Sequence, residues 1–61
     1  MSEPNYPALV KSLLQTRTQQ GLARELGVQQ VTIWRWLTGK SKPKGAAQKA
    51  LLELAKKRGV L

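Results

Sequence analysis

The stretch TQQGLARELGVQQVTIWRWLTGKSKP, residues 18–43, decides the fold. Its apolar side chains recur at helical spacing and predict a helix over 18–26 that stops at Gly27, a residue able to take the left-handed conformation that ends helices. The pattern then restarts and predicts a second helix over 29–38, closed by Gly39. Two short helices joined by a glycine-containing turn of about three or four residues are therefore expected at the centre of the chain.

Apolar residues at helical spacing also flank this stretch on both sides. They predict a first helix over 7–16 and a fourth helix over 44–58 that ends at Gly59. The apolar positions on these two helices are Leu9, Val10, Leu13 and Leu14 before the stretch and Ala47, Ala50, Leu51, Leu54 and Ala55 after it. No alternating segment of useful length predicts a β-strand. The expected fold class is all-α, a compact four-helix bundle.

The chain begins with a polar, proline-containing segment that we interpret as a flexible leader over residues 1–5. Asn5, its last residue, is a candidate N-cap for the first helix, and Pro7 suits the first helical turn because that position needs no backbone N–H. A single domain is expected over 6–61, since a chain of 61 residues has room for only one small core.

Composition excludes most kinds of catalytic and metal site. The chain contains no Cys and no His, so disulfides, Cys–His or Ser–His nucleophile pairs and the usual zinc sites cannot be assembled. Glu3, Glu25 and Glu53 are the only side-chain carboxylates available for acid–base chemistry. We therefore expect a protein that is not an enzyme, with no metal, no cofactor and no small-molecule ligand.

The charge of the chain is strongly positive, with 11 Lys and Arg against three Asp and Glu, a net charge of +8. Eight of the cations lie between Arg35 and Arg58, where Glu53 is the one acidic residue. Such a balance indicates a polyanionic partner, which composition alone leaves open as nucleic acid, anionic lipid or an acidic protein. No apolar run is long enough for a transmembrane helix or a signal peptide, so a cytoplasmic protein is expected.

The outer face of the helix predicted over 29–38 narrows the choice of partner. Side chains about 100° apart place Ile33, Trp36 and Leu37 toward the core. The residues left for the outer face and the N-terminal end are Gln30, Val31, Thr32, Trp34, Arg35 and Thr38. Arg pairs with guanine, Gln pairs with adenine, and Val or Thr packs on the thymine methyl group. With no acidic residue to repel phosphates, this face matches the base edges of a DNA major groove.

Residues 18–43 resemble the helix-turn-helix of the XRE family, which includes the lambdoid phage repressor and Cro proteins. The segments that carry the resemblance are Thr18-Gln19, Leu22-Ala23, Leu26-Gly27-Val28, Thr32-Ile33, Arg35-Trp36 and Gly39-Lys40. The resemblance implies a lambda-repressor-like fold that binds a double-stranded DNA operator. It also implies base contacts from Gln30, Val31 and Arg35 and a phosphate contact from Gln19. The loop after the third helix is expected to contact the DNA backbone.

Taken together, the outer face and the resemblance assign two sets of contacts. The expected base contacts are Gln30, Val31, Thr32, Trp34 and Arg35, and the expected phosphate contacts are Thr18, Gln19, Thr38, Lys40, Lys42 and Lys44. The predicted function is sequence-specific DNA binding by a small transcriptional regulator, a repressor of phage or bacterial type. The alternative is a basic amphipathic module that binds a membrane surface or an acidic protein through residues 44–58.

Three residues depart from the family pattern. Gly21 stands where a better helix former is usual, Gln29 stands where Ser or Thr would cap the third helix, and Trp34 replaces a small polar residue. Trp34 is expected to face either DNA or a second copy of the chain. The chain also stops after the fourth helix, whereas many relatives have a fifth that serves dimerisation, so we expect a monomer or weak homodimer that pairs on DNA.

Overall fold

Four α-helices make up the regular structure of the computed structural model, which describes residues 4–61. They are α1 (Tyr6–Leu13), α2 (Gln19–Leu26), α3 (Gln30–Thr38) and α4 (Gly45–Lys57). No β-strand occurs within residues 4–61, and the Cα radius of gyration is 10.2 Å, close to the value of about 10.5 Å for a compact domain of this length. The prediction of a compact all-α fold is confirmed. None of the described helices combines the length and the apolar character needed to cross a bilayer.

The core is built from one side of each helix. Its largest fully buried side chains come one from each element, namely Val10 of α1, Leu22 of α2, Ile33 of α3 and Leu51 of α4. Burying each of them contributes about 1.5–3 kcal/mol by removing apolar surface from water. Because α3 packs against both α1 and α2, its inner face is fully occupied by the core, which also buries Trp36 as predicted.

Glycine ends both central helices in the way the sequence predicts. Gly27 and Gly39 have φ angles of 71° and 79°, the left-handed region that a side chain would strain. At each end the next residue donates its backbone N–H to a carbonyl five residues back. Those hydrogen bonds run from Val28 to Ala23 and from Lys40 to Arg35, both at 2.9 Å. This closure satisfies terminal carbonyl groups and leaves only residues 27–29 between α2 and α3.

The N-termini of the helices are capped unequally. Asn5 Oδ1 accepts a hydrogen bond from the Ala8 N–H at 3.1 Å, and Thr18 Oγ1 accepts one from the Gly21 N–H at 3.0 Å, so both predicted caps are confirmed. Gln29 occupies the N-cap position of α3, with extended backbone and no side-chain hydrogen bond to the helix. As the sequence analysis anticipated, α3 therefore begins without side-chain help.

The first helix is shorter than its predicted span of 7–16. It ends at Leu13, with Leu14 as its C-cap. The residues that follow Leu14 are Gln15, Thr16, Arg17 and Thr18, none of them apolar. A further helical turn would have nothing to bury against the core, so the chain bends there toward α2. The other three helices agree with their predicted spans to within one residue at each end.

A contact between α1 and α4 was missing from the sequence predictions. Tyr6, the first residue of α1, is 3% exposed, and its hydroxyl oxygen accepts a hydrogen bond from Gln48 Nε2 at 2.8 Å. Tyr6 extends the stripe of Leu9, Val10 and Leu13 by one helical turn, so the spacing contained the signal. Of the predicted leader, residues 1–3 lie outside the described part of the chain.

Candidate nucleic-acid interface

The outward side of α3 collects most of the residues predicted to contact bases. Five side chains of this helix are exposed, and they follow one another at helical spacing along one face: Gln30, Val31, Trp34, Arg35 and Thr38. We call this set the α3 outer face. Thr32 is half-buried at its border, so of the predicted base contacts it is the least accessible. Packing of Ile33 and Trp36 into the core fixes which side of α3 remains outside.

Two apolar side chains stand on the α3 outer face. Val31 is 46% exposed and Trp34 is 41% exposed, one helical turn apart. Trp34 also contacts a cation of the following loop. Lys40 Nζ lies 5.0 Å from the centroid of the Trp34 ring. This is a cation–π contact, worth about 0.5–1 kcal/mol at an exposed site. It holds the Lys40 ammonium group beside α3 at the point where the loop begins.

Thr38 is at the C-terminal end of the same face, but its hydroxyl group is engaged within the helix. The Thr38 Oγ1–H donates to the carbonyl oxygens of Trp34 at 2.9 Å and Arg35 at 3.3 Å. A phosphate oxygen needs a donor, so the predicted phosphate contact from Thr38 requires that the hydroxyl group leave these carbonyls. The prediction for Thr38 stays a prediction.

The start of α2 holds the remaining predicted phosphate contacts outside the loop. Thr18 is exposed and Gln19 is half-buried at the first helical position. Since Thr18 Oγ1 accepts the capping hydrogen bond from Gly21, its own hydrogen is still available for donation. The N-terminal end of a helix also carries a partial positive charge that favours an anion.

The loop between α3 and α4 carries three lysines that face solvent. Lys40, Lys42 and Lys44 are all exposed, whereas Pro43 between them is buried. Pro43 thereby anchors the loop against the domain, and the lysine side chains are left on its outer side. Sequence reasoning placed the lysines correctly but assigned no role to Pro43.

The acidic side chains of the described chain belong to α2 and α4, not to α3. Glu25 and Glu53 both line a hollow between α2 and α4, together with Lys57. Glu25 Oε1 lies 3.0 Å from Arg17 Nη1, the single ion pair found among residues 4–61. From residue 26 to residue 52 the sequence has five cations and no acid. Among the described residues, the charged side chains of α3 and the following loop are therefore all cations.

The Arg17–Glu25 pair secures the turn that precedes α2. The Arg17 side chain is only 12% exposed and that of Glu25 is 41% exposed. Arg17 Nη1 has no hydrogen-bond partner among the described residues, so its contact with Glu25 is a charge interaction without aligned hydrogen-bond geometry. Neither residue featured in the predicted site, and we assign both a structural role beside it.

Comparison with protein-family models, with curated proteins and with solved structures finds no match to this chain. Within residues 4–61 no group of three or more His, Cys, Asp or Glu side chains lies together to hold a metal ion. The side chains of the α3 outer face and the lysine loop themselves indicate what the surface can bind. These are amide and guanidinium donors, apolar groups and ammonium groups, which together suit a ligand with phosphates and mixed polar and apolar edges.

Proposed function

We propose that the protein is a sequence-specific double-stranded DNA-binding protein of the helix-turn-helix type, similar to the XRE family, and acts as a small transcriptional repressor. One observation carries the proposal. The core fixes α3 so that Gln30, Val31, Trp34 and Arg35 are exposed together, on a helix that has no acidic residue and is followed by a lysine-rich loop. Few partners other than DNA present both phosphates and patterned base edges to one helix.

In this proposal α3 enters the major groove and reads bases. Arg35 donates two hydrogen bonds to guanine, and Gln30 pairs with adenine through its amide group. Val31 is exposed one residue further along and packs on a thymine methyl group. The short turn over 27–29 supports this mode, because a helix-turn-helix joins its two helices by a turn of about this length.

Phosphates are held by groups on either side of the reading helix. Thr18 and Gln19 donate from the start of α2, while Lys40, Lys42 and Lys44 contribute charge from the loop. Such contacts set the register of the protein on the duplex without reading sequence. Occupancy of an operator then blocks polymerase or another regulator, which is how binding alone produces repression.

The alternative, an amphipathic module built on residues 44–58, is less well supported. Leu51 and Ala55 of α4 are fully buried in the core, and Ala47 and Leu54 pack against the same cluster. The apolar stripe of α4 is therefore occupied within the domain. An interfacial membrane helix needs a free apolar face to insert among lipids.

Self-association is proposed to be weak and to depend on DNA. Apart from Val31 and Trp34, the large exposed apolar side chains among the described residues are Val60 at 38% and Leu61 at 56%. Two such side chains give little area for a permanent interface. We propose that two copies pair on half-sites about one helical turn apart, as two-fold operators require.

Selection of bound sequences from a random duplex pool tests the function directly. We expect enrichment of one short motif, with an affinity at least about 10³-fold above that for random duplex. In parallel, co-sedimentation with anionic vesicles tests the alternative. A pool that shows no enrichment, or vesicle binding tighter than duplex binding, would contradict the proposal.

A further inference from the structure

Trp34 is the residue of the α3 outer face whose partner is least obvious. Its indole ring is 41% exposed at the middle of the face. An exposed aromatic ring of this size is a typical contact residue. The two occupants to distinguish are nucleic acid and a second copy of the chain.

The position of Lys40 favours nucleic acid. The ammonium group lies 5.0 Å from the ring centroid, so a partner that covers the ring also removes water from that charge. A second copy pairing through this face would bring another Lys40 and another Arg35 against it, on a chain with a net charge of +8. Like charges brought together without water are strongly unfavourable, whereas a duplex brings a phosphate to the same place.

The neighbouring Val31 indicates which part of the duplex the ring meets. Val31 and Trp34 are exposed side by side on α3, and three residues of helix advance about 4.5 Å along its axis. That distance lies between one and two base-pair steps of about 3.4 Å. The apolar group that a major groove offers to such a pair is the 5-methyl group of thymine.

We propose that Trp34, positioned by Lys40, reads thymine. The indole ring packs on the methyl group of a thymine next to the base that meets Val31, and the Lys40 ammonium group pairs with a phosphate beside it. Lys40 acts as a positioning residue, since its contact with the ring limits the orientations the indole can take. This inference rests on the proposed function and adds a specificity-determining residue to it.

The test removes single methyl groups from the DNA. The full chain is measured against the selected duplex and against duplexes in which one thymine at a time is replaced by uracil. For the wild-type protein we expect the loss of the methyl group to weaken binding at two positions, one that meets Val31 and one that meets Trp34, and at the Trp34 position by about fourfold, the value for one buried methylene-sized group. In Trp34→Ala that position should become indifferent to the methyl group, while in Val31→Ala it should stay sensitive.

Two lysine variants separate positioning from charge. Lys40→Ala should lower the methyl sensitivity at the Trp34 position and weaken binding overall. Lys44→Ala removes an exposed lysine of the same loop. It should weaken binding to the thymine duplex and to the uracil duplex equally and leave the methyl sensitivity unchanged. Because Trp36 is 3% exposed, a change in tryptophan fluorescence on adding DNA reports Trp34, and it should disappear in Trp34→Phe. Far-ultraviolet circular dichroism confirms that each variant is folded.

The possible results distinguish failure of this inference from failure of the proposed function. A selected motif without thymine, or one in which no uracil substitution weakens the wild-type protein, would overturn the role of Trp34 and leave DNA binding standing. The role of Trp34 would also be overturned if Trp34→Ala weakened binding to the thymine duplex and to the uracil duplex equally. If Trp34→Ala changes the sedimentation of the protein but not its methyl sensitivity, the ring faces another copy of the chain, and the inference is likewise overturned. If the protein shows no sequence preference at all, both the role of Trp34 and the proposed sequence-specific function are overturned.

Discussion

α3 and α4 follow one another along the chain and use their charged and apolar residues in opposite ways. α4 ends in the cations Lys56, Lys57 and Arg58, which lie where positive charge stabilises a helix end, and its apolar stripe closes the core. α3 has only Arg35 as a cation, yet it leaves Val31 and Trp34 exposed. The comparison teaches that the amount of charge does not locate a binding surface. The proposed DNA-binding surface rests instead on exposed side chains that take no part in the core.

The largest expected effect contrasts the two faces of α3. Ile33→Ala removes a fully buried side chain and should lower the free energy of unfolding by about 2–5 kcal/mol. Val31→Ala, on the α3 outer face, should change it by less than about 0.5 kcal/mol. Urea denaturation of both variants measures the difference. Equal losses of stability would show that the outer face is part of the core.

The next effect contrasts the cations of α3 and α4 in DNA binding. Arg35→Ala should weaken binding to the selected site by about 1–3 kcal/mol and relax preference at one base pair, because a bidentate guanine contact is lost. Lys56→Ala serves as the matched loss of charge on α4. A gel-shift titration against cognate and random duplex measures both. If Arg35→Ala weakens the two duplexes equally, Arg35 holds a phosphate and reads no base.

A smaller effect concerns the uncapped start of α3. Gln29→Ser introduces a side chain that can accept the N–H hydrogen bond that Gln29 leaves unmade, and it should raise the free energy of unfolding by about 0.5–1 kcal/mol. Thr18→Ala, at the cap that α2 already has, should lower it by a similar amount. Thermal denaturation measures both. If Gln29→Ser leaves the free energy of unfolding unchanged, solvent already satisfies the backbone N–H groups in the first turn of α3.

The salt dependence of binding distinguishes the loop from the end of α4. Lys44→Ala should reduce the slope of log K against log salt by about 0.9, the value for one phosphate contact. Lys57→Ala removes the same charge from the last turn of α4 and should leave the slope nearly unchanged. Fluorescence anisotropy over a range of salt concentrations measures the slopes. Equal reductions would extend the phosphate-binding surface to α4.

The smallest effect concerns the pairing of two copies on DNA. Val60 donates its backbone N–H to the Ala55 carbonyl at 3.0 Å, so the last two residues fold back over the end of α4. Deletion of Val60 and Leu61 should reduce cooperativity on a full site and change half-site affinity by less than about twofold, since they lie outside the core. Sedimentation that shows a tight dimer of the intact chain without DNA would contradict weak pairing.

Most of the fold was predictable because it depends on local patterns. Helical spacing predicted four helices, and Gly27 and Gly39 marked the ends of two of them, since few other residues take a positive φ angle. Asn5 and Thr18 were predictable caps because their side chains reach backbone N–H groups three residues away. The orientation of α3 followed from the same periodicity, and with it the exposure of Arg35.

The tertiary structure decided what depends on residues far apart in sequence. The hydrogen bond from Gln48 to Tyr6 joins residues 42 positions apart, and the burial of Pro43 and the early end of α1 likewise depend on what the folded chain places beside them. Lys40 is six residues from Trp34, but its place over the ring follows the turn at Gly39, after which the Lys40 N–H bonds to the Arg35 carbonyl. Local propensities act within one or two helical turns. Which distant side chains meet is settled only when the whole core packs.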